Sequence, residues 1–539
     1  MTLKALFLIS ALGLLQSAAA QTRFGVVWDP PADRLEVEAD LTAIHAMGFS
    51  AVRTGLLEDD QVLVLSDSLG IAVYQELFSP LQTGPEIAAA VPDLRDRLGR
   101  ALAVSEGHQS AAWFGVAYAP ATNQARTCQA IKSLVDHARP RAAPNIRFYY
   151  VSWLPESDVC SSNVDLVLVD DARHDQPMAL LSRWRASTPV GLAAVGRSVD
   201  PDGPQGLLNE RSEERQAAFL ADALAALRDS RAAVVFLYRW QDPARPEVFH
   251  PAPLEGVFGL QDERGRARPA RDVAEKALTV GQSVFALRDG VRAAEGTSWF
   301  LLAGLLVFLA IAVMMAVSPR FRAMAPRYFL AHGFYRSAVH EGRDTPGFVA
   351  AGMLAILGVV MGLLAWLPLR FFASEPALHA LWFRSEPDLQ SAIDGIVNNP
   401  ALFTVLAGAV GLFATVLWLS AWSVAANRRS RLSPAQALLL AVFPRWPMLV
   451  LLLASMLLIA NWPANERYWV EILLTAWFLS ALWGTARGNA DLARVVRTNM
   501  IVSLVYWLMS PVVVLVLIGM LFRTLQPDVA AFYMALLGR

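Results

Sequence analysis

The chain has 539 residues, 55% of them hydrophobic and 17% charged, with a mean hydropathy of +0.39 and a formal net charge of −1. Soluble domains run at about 45–50% apolar and about 25% charged, so a wholly soluble globular chain is excluded, and the near-neutral balance excludes recognition of nucleic acid by bulk electrostatics. The excess is uneven: acidic residues concentrate in 22–295 and long apolar runs in 298–525, which divides the chain into a soluble half and a membrane half.

The first element in chain order is 1–21. Lys4 is followed by a short apolar stretch from Ala5 to Leu15 and then by Gln16-Ser17-Ala18-Ala19-Ala20, the pattern of a secretory signal peptide with its small-residue cleavage site. The alternative is an uncleaved anchor, and both place the next segment outside the cytoplasm. Within 22–285, β-branched or aromatic runs at 24–28, 50–54, 71–76, 111–117, 146–153, 164–170, 190–195 and 232–240 alternate with helical patterns at 36–47, 86–104, 121–138, 176–186 and 209–228. Eight such strands in this length predict an α/β fold, a (β/α)8 TIM barrel. The fifth and sixth strands lie too close for a full helix between them. An open doubly wound sheet is the alternative, but no GxGxxG follows the first strand. Cys128 and Cys160 exclude a four-cysteine zinc centre; in an exported domain they form either one disulfide or two buried thiols.

Residues 286–298 read as a linker. The segment 299–525 reads as an all-α polytopic membrane domain with six spans, at 299–318, 347–369, 401–425, 436–460, 468–485 and 499–522, and 526–539 as a tail. The fourth span is interrupted by Pro444-Arg445-Trp446-Pro447. With the barrel outside, the inner loops hold eleven arginines and the outer loops and tail five, in agreement with the positive-inside rule. The expected location is therefore the cytoplasmic (inner) membrane, multi-pass, with the N-terminal barrel in the periplasm or extracellular space. Glu471 and Arg445, the ionisable residues within spans, read as interfacial or packing groups rather than as a transport path.

In a TIM barrel the loops that follow the strands converge at one mouth, where chemistry resides. That rule selects Trp28, Asp29, Arg53, Glu76, Tyr118, Trp153, Asp170, Asp171, Ala194, Trp240 and Asp242. Flat aromatic faces interleaved with carboxylates and an arginine suit a sugar ring, with its C–H face and rim of hydroxyls. Exposed indoles at Trp28, Trp153 and Trp240 are expected of such a site, and buried ones of a purely structural barrel. No GxSxG elbow, HExxH pair, phosphate-cradling loop or metal-ligand spacing is present, so neither cofactor nor metal is expected.

At these residues the sequence resembles the catalytic barrel of family 2 glycoside hydrolases, a group of retaining glycosidases, over about 24–278. Met47-Gly48-Phe49-Ser50-Ala51-Val52-Arg53-Thr54 resembles the family's second-strand entry, and Asp67-Ser68-Leu69-Gly70-Ile71-Ala72-Val73-Tyr74-Gln75-Glu76 its third strand. Trp240-Gln241-Asp242 and the segment 258–270 resemble its closing strand and the lead into its last helix. The resemblance implies two catalytic glutamates, ending the fourth and seventh strands. His108-Gln109-Ser110-Ala111-Ala112-Trp113 matches the fourth-strand motif, yet Ala117 takes its asparagine position and Tyr118 its acid/base position. Pro189-Val190-Gly191-Leu192-Ala193-Ala194-Val195-Gly196 puts Ala194 at the nucleophile. No Glu or Asp lies between Gly107 and Lys132 or between Trp184 and Val199, so a register slip does not restore the pair. The five later spans, preceded by Phe334-Tyr335-Arg336-Ser337-Ala338, resemble Yip-family membrane proteins.

The expectation is a catalytically degenerate, membrane-anchored barrel that binds a saccharide or glycoconjugate, its partners being that ligand, the lipid bilayer and envelope polysaccharide machinery. Trp28, Asp29, Arg53, Glu76, Tyr118, Trp153, Trp240 and Asp242 are its binding residues. Two alternatives stand beside it: an active glycosidase with carboxylates relocated to Glu76, Asp170 or Asp171, which otherwise read as structural groups bonding Arg53 or loop amides, and a purely structural membrane assembly protein with an empty barrel mouth.

Overall fold

The computed structural model describes residues 22–79, 82–170, 174–243, 257–291, 298–343, 347–373, 399–426, 432–460 and 466–496, with a few isolated residues besides. The chain divides into two compact units, here taken separately.

The first unit is a closed barrel of eight parallel strands in sequential order: β1 Arg23–Val27, β2 Ala51–Gly55, β3 Ala72–Glu76, β4 Ala111–Tyr118, β5 Arg147–Ser152, β6 Leu166–Val169, β7 Val190–Val195 and β8 Val234–Leu237. β1 closes the ring, pairing Val26 with Val52 on one side and with Leu237 on the other. Nearly every strand residue is buried; covered on both faces, parallel strands read as continuous apolar runs such as Leu-Val-Leu-Val at 166–169. Around the barrel lie α1 Arg34–Ala46, α2 Gln61–Leu69, α3 Gly84–Val104, α4 Ala125–Ala138, α5 Pro177–Arg183, α6 Glu213–Arg228 and α7 Pro269–Val280. A single 3-10 turn, Ser161–Asn163, stands in place of a helix between β5 and β6. The helical patterns at 121–138 and 209–228 begin four residues before α4 and α6 do. At α6, Ser212 Oγ accepts from the Arg215 amide and fixes the first turn. Cys128 of α4 and Cys160 beside the turn form a disulfide, which settles the two alternatives left open by the sequence.

After α7 the chain runs on without regular structure and returns to the start of α6. The Leu207 and Leu208 amides donate to the Arg288 and Asp289 carbonyls at 2.9 and 3.0 Å. Arg288 holds the buried Glu214 carboxylate at 2.6 and 3.0 Å. Residues 288–291 thus bond to the barrel, within the stretch read from sequence as linker.

The second unit is helical: α8 Trp299–Val317, α9 Pro319–Leu330, α10 His332–His340, α11 Gly347–Ala373, α12 Pro400–Ala426, α13 Pro434–Val442, α14 Pro447–Ala460 and α15 Glu466–Val496. Three stretches are long and apolar enough to cross a membrane, Trp299–Val317, Gly347–Leu369 and Tyr468–Val495. A fourth is counted if the pair Pro434–Arg445 and Pro447–Ile459, bent by 40° at the prolines, is one broken span. Pro400–Val416 is a shorter apolar helix. Six spans are therefore not reproduced among the described residues, and the candidate at 499–522 lies outside them. α15 runs on past 485, where the fifth span is expected to end, through Arg487 and Arg494. It continues because Asp491, fully buried, gathers His332 at 2.8 Å and Arg336 and Arg487 within 4.0 Å. Both ring nitrogens of His332 face oxygens, Nδ1 the Tyr328 carbonyl and Nε2 the Asp491 carboxylate. Arg445, in the proline break, is buried and donates to the Ala441 carbonyl, whereas Glu471 is exposed.

Candidate functional site at the barrel mouth

Two buried clusters occupy the C-terminal ends of the strands. In the first, Arg53 near the end of β2 meets Glu76 at the end of β3. Its Nε and Nη2 lie 2.8 and 2.6 Å from Glu76 Oε2, and Nη1 donates to the Ala193 carbonyl on β7 at 2.8 Å. Tyr149 of β5 donates to the same Oε2 at 3.2 Å. It reaches across β4 because Gly115 carries no side chain: a Cβ there would sit 2.8 Å from the Tyr149 ring. Burial pushes the Glu76 carboxyl above the usual range, while the Arg53 guanidinium and the Tyr149 hydroxyl pull it down. For Arg53, burial opposes the cation and the Glu76 carboxylate outweighs it, so the guanidinium is held above its ordinary value.

In the second cluster Tyr118, ending β4, donates to Asp170 Oδ2 at 3.3 Å, and His174 Nδ1 lies 2.8 Å from Asp170 Oδ1. Burial, then the charge of Asp170, pushes the Tyr118 hydroxyl well above its ordinary value, so it serves as a donor and not as a phenolate. The Tyr118 ring packs against Phe78 and Trp153, with the Arg53 guanidinium 5.7 Å from its centroid, which links the clusters. His174 has a left-handed backbone (φ 64°), uncommon outside glycine, and its ring rests against Tyr238 and Phe258. Ala194 is buried on β7 and offers only a methyl group.

The remaining sequence candidates separate. Asp171 lies outside the described residues. Asp242 accepts from the Phe258 and Gly259 amides at 3.0 and 2.7 Å and pairs with Arg268 at 2.6 Å, so it holds a loop. Trp28, Trp153 and Trp240 are each about 1% exposed, which corrects the expectation of open aromatic platforms. Trp28 donates to Asp40 at 2.9 Å, and Trp240 is covered by the Arg271 guanidinium 4.9 Å from its centroid. Asp29 pairs with Arg239, the second residue after β8. The strand-end rule passed over Tyr149, His174 and Arg239. The spacing of His174 four residues beyond Asp170, and the position of Arg239 beside Trp240, were the available signals.

Several buried polar atoms at these strand ends have no hydrogen-bond partner: Asp29 Oδ1, Glu76 Oε1, Trp153 Nε1, Trp240 Nε1, and Nε and Nη1 of Arg239. Native interiors leave few such atoms. A separate cleft of about 590 Å3 opens at the opposite end of the strands, lined by Thr22, Arg23, Phe24, Ser50 and Arg228 among others, away from both clusters. Among the described residues no group of three or more His, Cys, Asp or Glu is placed to hold a metal ion.

The chain is similar in fold to a GH2 β-galacturonidase from Eisenbergiella tayi bound to galacturonate, at 16% identity and a TM-score of 0.41, over 48% of this chain and 52% of that one. It is similar also to a β-glucuronidase from an uncultured Clostridium species (13%, TM-score 0.41, 48% and 49% covered) and to one from Dictyoglomus thermophilum (14%, 0.41, 49% and 51%). The chain thus spans about half the length of these proteins. No protein-family model matches the sequence, and no curated protein matches it; the Yip-family likeness is not among the findings.

Proposed function

We propose that the barrel is a saccharide- or glycoconjugate-binding module that does not hydrolyse its ligand, carried outside the membrane by the helical unit. The observation that supports binding is the set of buried, unpartnered donors and acceptors at the ends of β1, β3, β5 and β8, a mixture that a polyhydroxylated ligand satisfies. The absence of turnover follows from the positions of the reacting groups. Retaining hydrolysis uses two carboxyl groups about 5–5.5 Å apart, and the family positions hold a phenol kept protonated and a methyl group. Glu76 is engaged by Arg53 and Tyr149, and Asp170 by Tyr118 and His174. Loss of acid/base assistance alone costs about 10²–10⁴-fold in rate. The disulfide supports an exported location, since such bonds persist in oxidising compartments.

A second reading, a structural assembly barrel without a ligand, is favoured by the buried indoles. The deciding experiment titrates the full chain, in detergent or nanodiscs, with a glycan panel and with aryl glycosides, scoring binding and turnover together. Binding without turnover is expected. Turnover abolished by Glu76→Gln would establish a relocated active site and overturn the proposal; no binding anywhere in the panel would leave the structural reading.

A further inference from the structure

Among the described residues the barrel contains three arginines that are almost fully buried, Arg53, Arg239 and Arg268, and two of them show how this fold satisfies such a group. Arg53 commits all three nitrogens, to Glu76 and the Ala193 carbonyl. Arg268 does the same, with Nε on Glu213, Nη1 on the Gly259 carbonyl and Nη2 on Asp242. Arg239 is different. Its side chain is only 3% exposed, yet Nη2 alone has a partner, Asp29 Oδ2, while Nε and Nη1 have none. Burial opposes its charge, with the Asp242 carboxylate pulling the other way, and brings the guanidinium down to about 10.

A buried guanidinium with two uncommitted nitrogens is costly as a purely structural element. The same planar fork is the side chain best suited to receiving a carboxylate, sulfate or phosphate. The surroundings agree. Arg239 stands at the mouth between Tyr238 and Trp240, the next residue's indole N–H is a further uncommitted donor, and Asp29, 32% exposed, keeps one oxygen available as an acceptor. The other nearby carboxylate, Asp242, is neutralised by Arg268.

We propose that Arg239 receives an anionic group of the ligand, so that the saccharide bound at the mouth is an acidic one, with Asp29 Oδ1 accepting from a neighbouring hydroxyl. The inference rests on the saccharide-binding reading and names the class of sugar.

The test uses the full chain in detergent and matched pairs of oligosaccharides, each neutral sugar beside its counterpart carrying a carboxylate, a sulfate or a phosphate. The wild type is expected to bind one acidic series about tenfold or more tightly than its neutral partner, the scale of one charge-assisted contact, and the identity of that series names the acid. Arg239→Gln brings the acidic member down to the affinity of the neutral one, and Arg239→Lys keeps part of the preference. Asp29→Asn, which removes the competing carboxylate, increases the preference, a change that a merely structural Asp29–Arg239 pair would not produce. Equal binding of both members, or a preference that survives Arg239→Gln, overturns the inference while leaving saccharide binding intact. If no sugar binds, the saccharide reading fails, and thermal shifts with acetate, sulfate and inorganic phosphate decide the anion site. A shift lost in Arg239→Gln supports it, and no shift overturns it.

Discussion

Gly115 lacks a side chain where Tyr149 needs the space, and that single absence lets a phenol from β5 reach Glu76 on β3. Gly115→Ala is expected to displace the ring and destabilise the protein by about 1–3 kcal/mol, as overpacking of a tight core does; thermal unfolding of the full chain followed by near-UV circular dichroism measures it. The Arg53–Glu76 pair behaves differently. Arg53→Met leaves a buried carboxylate without its counter-charge and is expected to cost about 3–5 kcal/mol, while the double change Arg53→Met with Glu76→Leu recovers much of that loss. A double-mutant cycle on the same unfolding signal checks it, and strictly additive effects would contradict the pairing. At this scale the sequence was partly legible. Arg53, Glu76, Tyr118 and Asp170 end strands, and strand ends are readable from β-branched runs. Tyr149 lies within its strand, and only the register against Gly115 reveals where its hydroxyl arrives. The burial of Trp28, Trp153 and Trp240 was not legible, because position at a strand end does not say what covers the ring.

Between elements, two ties join segments more than thirty residues apart. The Cys128–Cys160 disulfide joins α4 to the turn after β5 over a sequence separation of 32. In the chain-entropy picture a loop of that size contributes about 3–4 kcal/mol, so reduction, or Cys128→Ser with Cys160→Ser, is expected to lower the midpoint of thermal unfolding of the full chain. The other tie joins the end of α2 to the start of β4. Burial pushes the Asp67 carboxyl up, but the Ser110 amide at 2.6 Å and His108 at 2.7 Å more than offset it and hold it below the ordinary carboxylate range. A depressed carboxyl stabilises the fold above the unfolded-state value, near pH 4, and loses that contribution as pH falls through the folded-state value. Asp67→Asn is therefore expected to flatten the acid limb of the stability profile, measured as unfolding midpoint against pH from 6 down to 2. Strands emerged from the sequence more faithfully than helix limits, because apolar runs mark a strand directly, whereas the start of α6 depends on one Ser212 hydroxyl and the length of α15 on distant partners for Asp491.

For the molecule as a whole, composition sets an acidic N-terminal half beside an apolar C-terminal one, and the chain forms two compact units, one holding the barrel and one the apolar helices. The barrel count of eight was legible because each strand is a discrete apolar run. The span count was less so, since hydropathy cannot distinguish one helix bent at Pro444 and Pro447 from two. The junction is the least legible part, because 286–298 reads as a linker and yet Arg288 within it holds Glu214. A chain ending at 281 would strip that carboxylate of its counter-charge and leave it the Gly206 amide, so truncation there is expected to lower barrel stability measurably against truncation at 291, compared by thermal unfolding of both fragments.

That return of the chain onto α6 also has a mechanical meaning. Any pull from the downstream half arrives first at Arg288 and the two backbone bonds beside it, not at the barrel strands. The ten residues of 282–291 act as strain relief, since they must come away and straighten, to at most about 35 Å end to end, before the load reaches α7 and the sheet behind it.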